Sequence, residues 1–562
     1  MIQRFLNFLI SMLIITSAVA QSYPQQYFRH PLNIRMELVA NFGEIRTNHW
    51  HMGLDIRTQQ RVNLPVYASA DGYIGRIVVE PGGFGQAIYI NHPNGFTTLY
   101  AHLNAFYAPL AKYITDQQYA KQSWKVDLTF PPDLFPVKKG QQIGLSGSTG
   151  GSQGPHVHFE IRDTKTDKVL NPLLFKMPIA DAVAPSIIRL AMYDRNKSTY
   201  SQSPQLLAVT KSGSNYTLAA ANIVKVGSDK ISFAVGAVDR LSGSSNPNGI
   251  YCAEIEMDGK PVSGFKLDRI DYNESRYINA QLDYPYQIKT GVHLQHISPL
   301  PGATAVAYQM QNADGTIRLT DGAVHDIVIH VYDANNNSSN ISFKVQYSAD
   351  LQRSYAAAAE QLLPNNVNVF ERPSFELFTT EATIYDTVNV SYSNTANTFA
   401  DAASDVHTFL NTSIPVHDYV TVRIKPTKDL SEDEKARTII RNVSGSRTYV
   451  QKVEWKSGSA SAKFRQFGTY QLLVDDEPPT VNAPPANLTK SSRIVFTPKD
   501  NNNSIKNFRV ELDGKWLRFT NDKGKTWIYR FDSHFPKGAH ELKVIIEDEA
   551  GNVTTKTWNV HR

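Results

Sequence analysis

The chain has 562 residues, 41% hydrophobic and 19% charged, which at roughly 150 residues per domain implies about four domains and excludes both a disordered chain and a polytopic membrane protein. Its 57 Lys and Arg against 52 Asp and Glu leave a net charge of +5, too mild and too evenly spread to argue for a nucleic-acid partner. A single cysteine, Cys252, excludes a disulfide framework and a cysteine-rich zinc site, while 27 tyrosines and many Asn, Ser and Thr favour β-structure.

Residues 1–20, MIQRFLNFLISMLIITSAVA, read as a signal peptide. Arg4 gives a positive start, Leu9 to Ile15 a short apolar stretch, and Ala18-Val19-Ala20 the small-x-small pattern of a cleavage site. Asn7 and the shortness of the run argue against a membrane anchor, and no Cys follows to carry a lipid. The mature chain is expected to be exported, periplasmic or envelope-associated or secreted, with no membrane span after cleavage.

The expected fold class is mainly β. A first domain spans 21–182, with strands near Ile74–Val79, a hairpin over 87–100 turned by His92-Pro93-Asn94-Gly95, and a strand at Val157–Arg162. An insertion at about 104–136, rich in aromatics and broken by Pro131-Pro132, is expected to carry some helix around its own small core. About three β-sandwich modules follow: an immunoglobulin-like one at 183–347, a β-module at 373–476 and a second immunoglobulin-like one at 477–562. The outer two echo each other. Glu256-Met257-Asp258-Gly259-Lys260 resembles Glu511-Leu512-Asp513-Gly514-Lys515, and the run from His325 to Asp333 resembles the run from His540 to Asp548. The stretch 348–372 is expected to be a helical linker, since Tyr355 to Leu363 (YAAAAEQLL) is built of good helix formers stopped by Pro364. The run from Asp475 to Pro479 is a stiff hinge.

The chemistry lies in the first third, where seven of the 16 histidines fall between His30 and His158. His51-Met52-Gly53-Leu54-Asp55 places an imidazole and a carboxylate where one turn aims both at a point, with Gly53 keeping the backbone clear. On a strand, His156, His158 and Glu160 share one face while Val157, Phe159 and Ile161 share the other. Ahead of them, the run from Gly144 to Pro155 is a flexible polar loop. Two imidazoles and one carboxylate make a three-ligand zinc site with a fourth position for water, which suits hydrolysis of a peptide or ester. There is no H-E-x-x-H, so nearby histidines are the natural proton carriers.

The stretch from about 42 to 172 resembles the LytM (lysostaphin-type, M23) zinc peptidases. The matching pieces, in family order, are Phe42-Gly43-Glu44-Ile45-Arg46, the His51 to Ile56 run, Pro65-Val66-Tyr67-Ala68, Ala70-Asp71-Gly72 and Gly85-Gln86-Ala87. They continue with Thr98 to Leu103, Val137 to Gln141, Ile143-Gly144, Gly147 to Gly150 and Gly154 to Glu160. The resemblance implies a small antiparallel β-groove. It implies one Zn2+ per chain on His51, Asp55 and His158, and catalytic roles for His102 and His156. It further implies cleavage of peptide cross-links in bacterial peptidoglycan, with cell-envelope protein partners as a further expectation for the β-modules. Two other readings stand beside it: a LytM-like regulator that recruits another wall hydrolase, and a surface binding protein acting through its β-modules.

Around the site, Arg46 is expected either to contact substrate or to pair with a carboxylate. His49 is expected to lie beside the site or in solvent, His92 to be solvated in its turn, and His293, His296, His325 and His330 to be structural. The β-module loops show no regular acidic series of the kind that binds calcium.

Overall fold

The computed structural model describes residues 23–562 apart from 214, 221–222, 304–306, 311–313, 356–357 and 398–400. The signal peptide expected at 1–20 lies outside the described residues. Strands dominate, and among the described residues no helix is long and apolar enough to cross a membrane.

The N-terminal domain is built on an antiparallel sheet. Its main strands are β1 (Leu38–Ala40), β2 (Leu54–Arg57), β3 (Gly72–Val79), β4 (Gln86–Asn91), β5 (Phe96–Ala101), β6 (Val126–Thr129) and β7 (His156–Asp163). Their spatial order is β1-β2-β7-β5-β4-β3-β6. Strands β4 and β5 form the expected hairpin, with Ile88 opposite Tyr100, and Gly95 takes the left-handed conformation (φ +83°) that its turn requires. On β7 the side chains alternate as the pattern predicts. Val157, Phe159 and Ile161 enter the core with Ile88, Ile90 and Tyr100, so 156, 158 and 160 stand on the opposite face. β7 runs between β2 and β5, and its register sets His158 across from Asp55 on one side and Ala101 on the other. A slip of one residue would turn both histidines into the core, so burial of the apolar face fixes the chemistry.

Two local expectations need correction. His92 is buried: Nδ1 lies 2.8 Å from the Asp71 carbonyl and Nε2 2.8 Å from Thr98 Oγ1, under the Phe28 ring. A turn sequence reports backbone shape, not what packs over it. In the insertion, the helix α1 (Ala108–Ala120) buries Leu110 and Ile114, and Tyr113, Phe130 and Phe135 pack together, but as part of the domain's main core with Ile74 and Ile77 rather than as a small core of their own. Tyr119 instead leaves that core and stacks on His534 of the last sandwich, ring centroids 3.8 Å apart.

The first sandwich packs a sheet containing β8 (Ser186–Asp194) and β9 (Lys230–Val238) against one containing β10 (Cys252–Met257), β11 (Lys260–Lys266), β12 (Val324–Tyr332) and β13 (Ser338–Tyr347). The middle module pairs two five-stranded sheets. The last sandwich is centred on β14 (Ile505–Leu512), β15 (Ala539–Asp548) and β16 (Val553–His561). The sequence echo is a structural one. Asp258-Gly259 and Asp513-Gly514 both make hairpin turns with two positive φ values, and in each the aspartate meets a histidine Nδ1 at 2.7 Å, His325 and His540 respectively.

The helical linker expected at 348–372 is not a helix. A 3-10 turn at Ala349–Leu351 leads to extended chain, and Gln361–Leu362 is a strand paired with Val388–Asn389. Val369–Arg372 is already half of a hairpin with Phe375–Phe378. Ala356 and Ala357 lie outside the described residues. A helical nucleus this short is marginal in water, and sheet pairing wins over propensity.

The N-terminal sheet continues into the first sandwich. Val169–Leu170 pairs with β7 on one side and with Arg269–Ile270 on the other. Phe42, Trp50 and Met52 are buried in the sandwich core with Phe265 and Leu267, and Trp50 Nε1 donates to Gln281 Oε1 at 2.8 Å. Gly43 sits at a point of close approach, with φ +81° and a Cβ there only 2.6 Å from Leu267 Cδ1. Gly43→Ala should therefore cost about 1–3 kcal/mol of stability. Urea unfolding of both proteins measures it; an unchanged midpoint would contradict this packing.

Candidate metal centre

The centre forms where β2 and β7 lie side by side. Nε2 of His51 is 3.0 Å from Asp55 Oδ1 and 3.1 Å from His158 Nδ1, and His158 Nδ1 is 2.9 Å from the same Asp55 oxygen. All three residues are buried. Each imidazole is aimed by its other nitrogen. Nδ1 of His51 lies 2.7 Å from the Asn41 carbonyl, and Nε2 of His158 lies 2.8 Å from Glu160 Oε1. A ring that donates outward and presents a lone pair inward is the arrangement of a metal-ligating histidine. Gly53 makes the approach possible, since a Cβ there would lie 2.5 Å from the Phe159 carbonyl.

The electrostatics call for a cation. Burial opposes ionisation of Asp55, yet the charge of His51 and hydrogen bonds from His156, His158 and His51 hold it well below the usual carboxylate range. Burial also opposes charge on His158, but Asp55 and Glu160 push it up to about 9. Without a metal the centre draws a proton to the place a cation would fill. Two nitrogens and one oxygen at these separations fit Zn2+, whose bonds to such ligands run about 2.0–2.2 Å.

His102 and His156 complete the group. Nδ1 of His102 donates to the Thr149 carbonyl at 2.9 Å, leaving Nε2 for the groove. Its backbone is left-handed (φ 60°), an uncommon state for a residue with a side chain and one that clusters at functional sites. Burial, with His158 and His156 nearby, lowers its pKa to about 3, so it is neutral at neutral pH. Nδ1 of His156 lies 2.9 Å from the Gly154 carbonyl and Nε2 3.3 Å from Asp55 Oδ1. The His102 and His156 rings are 4.7 Å apart. The five residues named from the sequence thus meet at one place. Arg46 pairs with carboxylates, 2.5 Å from Glu44 and 3.7 Å from Asp55. His49 is exposed, held by the Thr47 carbonyl.

Sequence reasoning missed the layer behind the ligands. Glu160 is fully buried; its second oxygen accepts from Arg162 Nε at 2.7 Å, and Arg162 reaches on to Asp167 at 2.9 Å. Burial raises the Glu160 pKa, but Arg162 and His158 bring it down to about 2. Tyr272, from the first sandwich, donates its hydroxyl to the Glu160 oxygen that holds His158. The alternation of β7 placed Glu160 on the right face, but nothing local announced a tyrosine 112 residues away. The last sandwich braces the loop ahead of His156: Lys523 Nζ donates to the carbonyls of Ser148, Gly150 and Ser152 at 2.7, 2.8 and 2.7 Å. Loss of an outer partner typically costs about 10–100-fold in metal affinity. Tyr272→Phe should weaken zinc binding by about tenfold without unfolding the chain. Competition with a chromophoric chelator measures this, and an unchanged affinity would remove Tyr272 from the centre.

Known proteins place this arrangement. Peptidase family M23 matches residues 49–119 and 135–172, a Zu5-like domain matches 359–475, and a bacterial Ig-like domain matches 474–561. The DD-carboxypeptidase/endopeptidase Mpg of Neisseria meningitidis is 33% identical over 157 residues, 28% of this chain and 27% of that protein. The peptidoglycan DD-endopeptidase ShyA of Vibrio cholerae is 27% identical over 168 residues, 29% of this chain and 33% of that protein. The catalytic domain of the M23 protein EnpA from Enterococcus faecalis, in crystal form, is 21% identical, with 26% of this chain and 95% of that one covered and a TM-score of 0.20. The chain thus spans about a third or less of the curated relatives it matches. The N-terminal part of this chain carries a peptidase family M23 domain, and a bacterial Ig-like domain stands at its C-terminal end.

Proposed function

We propose that the protein is an exported zinc endopeptidase that hydrolyses peptide cross-links of bacterial peptidoglycan. The observation that carries this is the convergence of all five side chains, His51, Asp55, His158, His102 and His156, in one β-groove. Relatives named as peptidoglycan DD-endopeptidases, ShyA among them, support the substrate class.

When bound by His51, Asp55 and His158, Zn2+ would lower the pKa of water toward ~7 and polarise a peptide carbonyl. The chain's own part is proton handling and orientation. His102 is neutral, and its Nδ1–H is committed to Thr149, so Nε2 is a fixed proton acceptor. His156, held through Nδ1 by Gly154, turns Nε2 toward the same point and stands to stabilise charge growing on the carbonyl oxygen. One of the two returns the proton to the leaving amine. The left-handed backbone at His102 and the Lys523 brace keep these rings from relaxing away.

A regulatory role without hydrolysis is the second reading; the Lys523 contact from another domain onto the loop before His156 favours it, because an anchored loop can close a groove. Mass spectrometry of peptidoglycan fragments after incubation with purified protein decides between them. The hydrolase reading expects new free amines at cross-links, abolished by a chelator. His158→Ala should lose both zinc and cleavage, whereas His102→Ala should keep zinc and lose about 10²–10⁴-fold in rate. Full activity in His102→Ala would overturn its role, and unaltered fragments with zinc-loaded wild type would favour the regulator.

A further inference from the structure

Outside the zinc centre, two groups of three aspartates come together, and they do so at equivalent places. Asp181, Asp239 and Asp333 each turn a carboxylate oxygen to within 4.8 Å of the other two, and so do Asp475, Asp500 and Asp548. Asp333 directly follows β12 and Asp548 ends β15, in the two runs whose sequences echo. Much of the surroundings repeats; Asp475 in addition accepts from the Asn501 and Asn502 amides, each at 2.9 Å. Asn337 donates its backbone N–H and its amide to the two oxygens of Asp333 at 2.8 and 2.6 Å; Asn552 does the same to Asp548 at 2.8 and 2.9 Å. Each asparagine amide also reaches the backbone carbonyl of the incoming aspartate, Asp181 at 3.5 Å and Asp475 at 2.8 Å. Four residues on from that aspartate, Pro185 and Pro479 offer carbonyls to Ser339 and Thr554. In both cases the first aspartate belongs to the connector entering a sandwich, and the other two belong to the sandwich.

Three carboxylates gathered in a protein interior repel one another unless a cation lies between them. The first group carries further signs of a missing partner. Asp239 is 3% exposed, and its Oδ1 has no hydrogen-bond partner. Asn248 is 4% exposed, and neither its amide oxygen nor its amide nitrogen has one. Asp239 and Asn248 form an antiparallel bridge, N–H to carbonyl in both directions at 3.1 and 2.9 Å, so their side chains leave the sheet on the same side. A fourth oxygen donor thus stands beside the carboxylates. Burial, with Asp333 and Asp181 alongside, raises the Asp239 pKa to about 7, the mark of a carboxylate short of positive charge. In the second group Asp500 Oδ1 is likewise buried without a partner.

The geometry points to a pair of equivalent calcium sites, one at the junction of the peptidase domain with the first sandwich (Asp181, Asp239, Asp333 and Asn248) and one at the entry to the last sandwich (Asp475, Asp500, Asp548). The donors are all oxygen, which selects a hard cation, and no imidazole or thiolate competes for a transition metal. Calcium accepts irregular cages at about 2.3–2.6 Å, so oxygens up to nearly 5 Å apart can share one ion, whereas Mg2+ demands a tighter octahedron. A connector carboxylate and two sandwich carboxylates on one ion tie each module to the chain that enters it. Calcium therefore stiffens both joints. The reading is independent of the hydrolase proposal, because no residue is shared with the zinc centre.

The test uses the full chain with its zinc site kept loaded, stripped of other cations, and titrated with calcium chloride by equilibrium dialysis and by thermal unfolding. Wild type should bind about two calcium ions and unfold at higher temperature with calcium than with magnesium. Asp239→Asn and Asp548→Asn should each leave about one ion, and the double variant none. Asp239→Asn keeps the shape of the side chain and removes a repelled charge, so without calcium it should unfold at or above the wild-type temperature. Wild type that takes up no calcium at millimolar concentration overturns the proposal. So does an unchanged stoichiometry in both single variants. A calcium-free Asp239→Asn less stable than calcium-free wild type does so as well, since it would make Asp239 an ordinary structural acceptor.

Discussion

Three lone-pair atoms, Nε2 of His51, Oδ1 of Asp55 and Nδ1 of His158, are held within 3.1 Å of one another in a buried place. Left to themselves such groups would turn away toward water or toward separate partners. Here they cannot. The register of β2 against β7 sets Asp55 across from His158, the Asn41 carbonyl and Glu160 hold the outward nitrogens, and Gly53 lets the backbones close up. The arrangement is a preformed demand for a cation, and the chemistry of the domain follows from it.

That demand is met by more than the peptidase domain. The first sandwich buries Trp50 beside His51, extends the sheet through Arg269–Ile270, and sends Tyr272 to Glu160. The last sandwich, at the far end of the chain, anchors the loop before His156 through Lys523. Modules that look like spacers in sequence are part of the frame that positions the ligands. Equivalent acid clusters at the two module entries fit the same plan: a centre that depends on neighbours needs joints that do not bend.

How far the sequence alone could be read follows from the range of each interaction. His51, Asp55, His156 and His158 were legible because short spacings on a turn and a strand dictate direction. His102 was found through the family resemblance, but its left-handed backbone was not. Glu160 shared the right face without revealing its role, because its partners Arg162 and Tyr272 act through a tertiary contact. The acid clusters were invisible as a series, since each draws one residue from a connector and two from separate places in the sandwich; only the echo between the sandwiches hinted at a shared frame. The helix expected at 355–363 failed for the opposite reason: local propensity was clear, but strand pairing of Gln361–Leu362 outweighed it. His92 failed because a turn motif carries no information about the Phe28 ring that covers it.

The most direct test of this account is zinc-edge X-ray absorption on the purified full chain carrying its native metal. The account predicts a first shell of nitrogen and oxygen only, at about 2.0–2.2 Å, with the outer-shell scattering of two imidazoles, and loss of the zinc edge in His51→Ala. A shell of oxygens without imidazole scattering, or a wild-type spectrum unchanged by that substitution, would contradict it.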